Sequence, residues 1–295
     1  MITMLQALIL GALQGVTELF PISSLGHSAI LPAVLGWNID QASDFFLVFL
    51  VATHLATALV LLGFFWRDWV LIVKGIFHSL VARRIDESDV YAKMGWLIVV
   101  ATVPVGILGL ALENTFKSLA GDPRLVAGFL ALNGFALFGA ERLRRRREAN
   151  AAAAEAAAAP VADPIDSAVS RVSWSGAIKV GFAQSLALIP GFSRTGAALG
   201  GSLLIGLDHE SSARFAFLLA TPVILAAAAL KLPDVFLVHS VGAGISSVVI
   251  GALTSAVAAY LSIRFLTRYF KTRTLMPFAV YCILAGIIAF LIILK

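Results

Sequence analysis

The chain has 295 residues, of which 60% are hydrophobic and only 13% charged, so most of it cannot be covered by the polar surface a soluble protein needs. Apolar runs that approach or exceed the ~20 residues needed to cross ~30 Å of hydrocarbon recur along the whole length, which excludes a soluble domain with one anchor. The formal charge of +5 falls at the ends of apolar runs, where it sets orientation, and does not form a nucleic-acid-binding patch.

In chain order, residues 2–36 are apolar but interrupted by Phe20-Pro21-Ile22-Ser23-Ser24. They lack a basic start and contain Gln14 and Glu18, a poor pattern for a cleaved signal peptide, and are expected to stay in the mature chain. Spanning helices are expected at 45–66, 94–112 and 124–141, then at 213–231, 243–266 and 276–294. Between them, residues 174–207 repeat the character of the first segment, with a break at Pro190-Gly191-Phe192-Ser193-Arg194. The pieces beside each break are short for a crossing, so both segments read as re-entrant hairpins of two short helices. The single cysteine, Cys282, lies in an apolar run and suggests neither a disulfide nor a thiol metal site.

Lys and Arg set the orientation. Loop 67–93 carries Arg67, Lys74, Arg83, Arg84 and Lys93, residues 142–147 carry five arginines, and 264–273 carry Arg264, Arg268, Lys271 and Arg273. These three regions are expected in the cytoplasm, and the less basic loops 113–123 and 232–242 outside. The hairpins then enter from opposite faces. Gly11, Gln14 and Gly26 are matched at one constant offset by Gly181, Gln184 and Gly196, and Phe-Leu-Val-Ala-Thr at 49–53 resembles Phe-Leu-Leu-Ala-Thr at 217–221. The expected fold is an all-α integral membrane protein of two inverted repeats, 1–141 and 173–295, each a re-entrant hairpin plus three transmembrane helices. A cytoplasmic linker, 142–172, joins them into a single integrated domain. Inverted repeats with broken helices place binding sites near the midplane, so the site is expected to combine both breaks.

Ionisable groups inside membrane segments are costly and mark function. Glu18 lies one helical turn after Gln14, and His27 follows the Pro-Ile-Ser-Ser-Leu-Gly turn. In the other break Arg194 sits between Ser193 and Thr195. A guanidinium in a desolvated break calls for an anion, and arginine suits bidentate phosphate recognition; a helix opening at Ser193-Arg194-Thr195-Gly196 would add its free N–H groups. The structural alternative is an Arg194–Glu18 ion pair, and for His27 a hydrogen-bonded packing residue. His54, alone inside 45–66, reads as a packing or helix–helix contact; His78, His209 and His239 are assigned no role. No P-loop, His-Glu-x-x-His or Gly-x-Ser-x-Gly pattern occurs.

Gln14-Gly-Val-Thr-Glu18, then Leu-Phe-Pro-Ile-Ser-Ser24-Leu-Gly-His27, with Pro190-Gly-Phe-Ser193-Arg194-Thr195-Gly196, resembles the bacterial undecaprenyl-diphosphate phosphatase (bacitracin-resistance) family. The resemblance spans nearly the whole chain, including Phe215–Pro222 and Pro277–Tyr281. It implies a multi-pass enzyme of the bacterial plasma membrane, its active site opening to the outer face, that hydrolyses undecaprenyl pyrophosphate to the monophosphate and inorganic phosphate. It implies catalytic roles for Glu18, His27, Ser24 and Arg194, with Ser24, His27 and water all open as nucleophile. Gln14, Ser23, Ser193, Arg194, Thr195 and Gly196 are implied as substrate-binding. A divalent cation, Mg2+ or Ca2+, is implied with Glu18 as its ligand, and a homodimer is a further expectation. A transporter or flippase of the polyprenyl phosphate is the alternative, since paired re-entrant hairpins also suit transport. One departure stands out: Thr195 replaces the family's second Ser, and Ala198 stands where the family has Thr, removing a hydroxyl expected to face the phosphates.

Overall fold

The computed structural model describes residues 2–295 except 42, 87, 155–168, 170–171 and 238–243, so most of the linker beyond residue 154 and part of loop 232–242 lie outside the described residues. Among the described residues all regular structure is helical. The first segment forms α1 (Met4–Thr17) and α2 (Ser24–Leu35), followed by α3 (Asp44–Phe64), α4 (Trp66–Ala82), α5 (Val90–Ala111), α6 (Glu113–Ala120) and α7 (Pro123–Ala154). The second broken segment forms α8 (Trp174–Ser185), a 3-10 turn at Leu186–Leu188 and α9 (Arg194–Leu204), followed by α10 (His209–Leu237), α11 (Ile245–Tyr269) and α12 (Met276–Ile293). Six of these, α3, α5, α7, α10, α11 and α12, are long and apolar enough to cross a membrane, and they coincide with the six runs expected from sequence. The chain is a multi-pass membrane protein.

Local chemistry sets the starts of several helices. Thr3 and Gln6 form a reciprocal capping box ahead of α1, Ser43 accepts the Phe46 N–H ahead of α3, and Asp89 accepts the Ala92 N–H ahead of α5; each satisfies a donor that helix geometry leaves unpaired.

Residues 67–93, expected as a basic loop, are instead mostly helix. In α4, Ile72, Gly75 and Ser79 are buried while Trp66, Val73 and Phe77 face outward, a helical division of faces that Arg67 and Lys74 obscured. It docks on α5 through Trp96 Nε1, which donates to Ser79 Oγ at 2.8 Å, and on α10 through an Arg214–Asp68 pair at 2.8 Å. Likewise α6 occupies most of loop 113–123, and α7 carries the arginine cluster at 142–147 as helix, where Arg144 pairs with Glu148 at 2.7 Å.

The two halves exchange partners. Helices α1 and α2 pack on each other, as do α8 and α9, but α1 lies along α11 and α8 along α5, the second spanning helix of the opposite half in each case. Small residues allow the approach: a methyl added to Gly11 would fall 2.3 Å from the Gly251 carbonyl oxygen, and one on Gly15 2.2 Å from that of Ser255. Helices α7 and α12 pair closely. Fully buried Glu141 pins their basic ends together: Arg145 Nε donates to it at 3.1 Å, His209 Nε2 lies 2.7 Å away and the Leu275 N–H donates at 3.4 Å.

Candidate active site

Both broken segments build their interruption in the same way. The chain leaves α1 at Glu18, turns through Phe20-Pro21-Ile22, and starts α2 with Ser23 as N-cap, its hydroxyl accepting the Gly26 N–H at 3.1 Å. The second leaves its 3-10 turn, passes Pro190-Gly191, and starts α9 with Ser193 as N-cap, accepting the Gly196 N–H at 3.1 Å. Proline cannot continue the donor ladder, and a serine restarts it. The tips carry unusual backbone: Ser23 has φ 70° and Gly191 φ 105°. Gly191 needs glycine twice over, because an added methyl would also lie 2.5 Å from the Val126 carbonyl oxygen. Non-glycine Ser23 holds a conformation costing about 1–3 kcal/mol, of the kind that collects at functional sites.

The tips meet at Glu18. Its Oε1 is paired with Arg194. Its Oε2 accepts from Ser24 Oγ at 2.5 Å and Gln14 Nε2 at 3.0 Å. The residues that follow the two N-caps, Ser24 and Arg194, thus hold opposite oxygens of one carboxylate. Thr195 Oγ1 donates to the Glu18 carbonyl at 2.9 Å and Ser193 Oγ to the Phe20 carbonyl at 3.4 Å, so the second tip grips the backbone of the first. Asn133 of α7 spans the junction: its Nδ2 donates to the Pro21 carbonyl at 3.2 Å and its Oδ1 accepts the Ser193 N–H at 3.1 Å.

A cavity of about 400 Å3 opens beside this cluster. Glu18, Ser23, Ser24, Ser193 and Arg194 lie on its wall, whereas Leu50, Val105, Leu188, Val223, Ile224 and Ala227 make most of the rest apolar, with Lys231 one turn beyond Ala227 on α10. This combination suits a molecule with an anionic group and a hydrocarbon chain.

Two histidines exchange the places that sequence gave them. His54, read as a packing residue, lines the cavity with Nε2 3.4 Å from Glu18 Oε2. Its Nδ1 lies 2.8 Å from the Leu50 carbonyl, which only accepts, so Nδ1 carries a proton and only the imidazolium presents an N–H towards Glu18. His27, expected to turn back towards Glu18, instead has Nδ1 2.7 Å from the Ser23 carbonyl and Nε2 2.8 Å from the Tyr281 hydroxyl, its ring stacked on Tyr281 at 5.7 Å. It holds the backbone of the tip and does not touch Glu18. Neither Gln14 nor Thr195 nor Gly196 is on the cavity wall; Gln14 supports the carboxylate, and the other two join the tips. Ala198 is buried in the apolar core, so a hydroxyl at this position would face the core and not the cavity.

Sequence reasoning also passed over Asn133 and Tyr281. The signal for His54 was present, an ionisable group midway along an apolar helix; its partner is 36 residues away, which no local spacing reveals. A polar Asn133 in an otherwise apolar run carried a weaker version of that signal.

The cavity offers a cation little. Glu18 is its one carboxylate, and among the described residues no group of three His, Cys, Asp or Glu is placed to hold a metal. The set fits a divalent cation only if most ligands come from the substrate's own oxygens, a mode common for Mg2+.

Fold and site together define a polytopic membrane protein with a charged, hydroxyl-bearing cluster set in an apolar cavity. Residues 7–288 match the family described as Bacitracin resistance protein BacA, and the chain belongs to that family. It is 48% identical to an undecaprenyl-diphosphatase of Mycolicibacterium paratuberculosis, covering 95% of this chain and 94% of the relative. It is 41% identical to an undecaprenyl-diphosphatase of Acidiphilium cryptum, covering 99% and 98%, and 40% identical to undecaprenyl-diphosphatase 2 of Chromobacterium violaceum, covering 97% and 98%.

Proposed function

We propose that the chain hydrolyses undecaprenyl diphosphate to undecaprenyl phosphate and inorganic phosphate, recycling the carrier lipid of cell-wall synthesis. The observation that carries this reading is the single carboxylate of Glu18, held between Arg194 of one hairpin and Ser24 of the other on the wall of an apolar cavity. The prenyl chain lies along Leu50, Val105 and Val223, and the diphosphate meets Arg194 and the N-terminal ends of α2 and α9, where backbone donors and helix dipoles favour an anion. Ser24 is favoured over His27 as nucleophile because its hydroxyl already donates to Glu18, while both nitrogens of His27 are engaged elsewhere. The Ser24 proton passes to Glu18 as Oγ bonds the terminal phosphorus, and the phosphorus–oxygen bond to the lipid phosphate breaks. Water then attacks the phosphorus, the bond to Ser24 Oγ breaks as Glu18 returns its proton to that oxygen, and inorganic phosphate leaves with the oxygen and protons of the water. Arg194 stabilises the charge spread over the phosphoryl oxygens. Glu18 would hold a divalent cation jointly with the diphosphate, whose charge the cation would partly neutralise.

The exchange of partners, α1 on α11 and α8 on α5, supports reading 1–141 and 173–295 as inverted repeats, with the hairpins re-entrant from opposite faces. Lys231 on the wall, just ahead of the loop assigned outside, supports an opening to the outer face. The same exchange also suits a carrier of polyprenyl phosphate. Purified protein in detergent separates the two, because there is no bilayer to cross. Release of inorganic phosphate from undecaprenyl diphosphate is the expected result; lipid binding without phosphate release would replace hydrolysis by transport.

A further inference from the structure

A second lipid-facing recess lies at the basic end of α11, apart from the cavity that holds Glu18. It is a shallow, open depression of about 440 Å3 lined by Arg264, Arg268, Arg273, Tyr269, Leu261, Phe265 and Thr272. No acidic side chain lines it, and none of the three arginines makes an ion pair among the described residues; the neighbouring cation, Lys271, is taken by Glu210 at 3.4 Å. Three unneutralised guanidinium groups in one recess repel one another, and they persist together at lower free energy when an anion lies between them.

On the same face of α11 the apolar side chains are uncovered: Leu261 is 59% and Phe265 51% exposed. Leu261 lies about one turn nearer than Arg264, and about two turns nearer than Arg268, to the middle of a helix long enough to cross the bilayer. A ligand matching both sets of side chains has an anionic head at the basic end of the helix and a hydrocarbon chain running along it towards Leu261. Orientation signals alone need only charge, for which lysine serves as well; three arginines on one recess add the planar fork that pairs with a phosphodiester. We propose that this recess binds the headgroup of an anionic phospholipid, its phosphate between Arg264, Arg268 and Arg273 and its chain along Leu261 and Phe265. The substrate is not the favoured occupant, since no residue of the recess lines the Glu18 cavity. Phe265 nevertheless stacks on Phe20 of the first tip, 5.9 Å apart and 3° from parallel, so the bound lipid also buttresses the wall behind Pro21.

The test is binding, which does not depend on turnover. Detergent-purified protein is offered equal phosphatidylglycerol and phosphatidylcholine, and retained lipid is counted by native mass spectrometry. The parent should retain phosphatidylglycerol selectively. R264Q/R268Q/R273Q should lose that selectivity, roughly fivefold per arginine, the factor corresponding to about 1 kcal/mol for each basic side chain near the surface. R264K/R268K/R273K keeps the charge that sets orientation and should retain phosphatidylglycerol more weakly than the parent. If the glutamine variant fails to insert, R268Q alone should show one such step. Retention by the glutamine variant equal to the parent's, no preference for phosphatidylglycerol in the parent, or displacement of phosphatidylglycerol by undecaprenyl phosphate at equal concentration would each overturn the assignment.

Discussion

At the scale of single residues, the site is one carboxylate with its oxygens divided between two hairpins. Arg194→Lys keeps the charge but loses the fork that reaches Glu18 and a phosphate together, so phosphate release should fall about a hundredfold with the fold intact; turnover near the parent's would reduce Arg194 to a counter-ion. His54 acts through Glu18, since its Nε2 faces Oε2. His54→Ala should cost about tenfold in kcat and shift the pH profile, while His54→Gln, which keeps a donor towards the carboxylate, should restore most of the rate. A purely packing role would predict similar losses in both variants and no shift in the profile. His27 holds the Ser23 carbonyl and hence the strained start of α2 that presents Ser24. His27→Ala should therefore lower kcat more than Tyr281→Phe, which removes only the outer hydrogen bond of the pair.

At the scale of elements, two breaks that cannot pair their own backbone are tied to each other and to α7. Asn133→Ala would leave the Ser193 N–H unpaired in a buried place, at about 1–3 kcal/mol, and the Pro21 carbonyl with only the weak Cys282 thiol donor. The melting temperature in detergent and the turnover are expected to fall together, whereas loss of turnover at unchanged melting temperature would contradict a tethering role. The matched Gly11 and Gly181, which sequence offered only as a repeat signal, both mark close approach of a hairpin helix to a spanning helix of the other half. Helix α4 shows the converse: its positive charges suggested a loop, yet it forms a helix whose Gly75 lies against Ala92 of α5 and whose Ser79 hydroxyl accepts from Trp96.

At the scale of the whole molecule, the basic regions predict one orientation. Single cysteines placed at 67–93 and 142–147 should react only from the cytoplasm, and those at 113–123 and 232–242 only from outside. Labelling of 142–147 from outside would overturn the inverted relation proposed for the halves, and with it the proposed entry of the two hairpins from opposite faces.

The six spanning helices and both breaks were legible in the sequence, because a 20-residue apolar run and a Pro/Gly interruption are local consequences of the bilayer as solvent. That Glu18 and Arg194 could pair across the two breaks was legible too, since charge inside apolar segments is expensive and therefore conspicuous. Tertiary structure alone decided that His54 rather than His27 faces Glu18, that Asn133 bridges the tips, and that Ala198 belongs to the core. Those facts depend on how helices far apart in the chain are rotated against one another, and that rotation is set by close packing of small residues across the two halves, which no local pattern encodes.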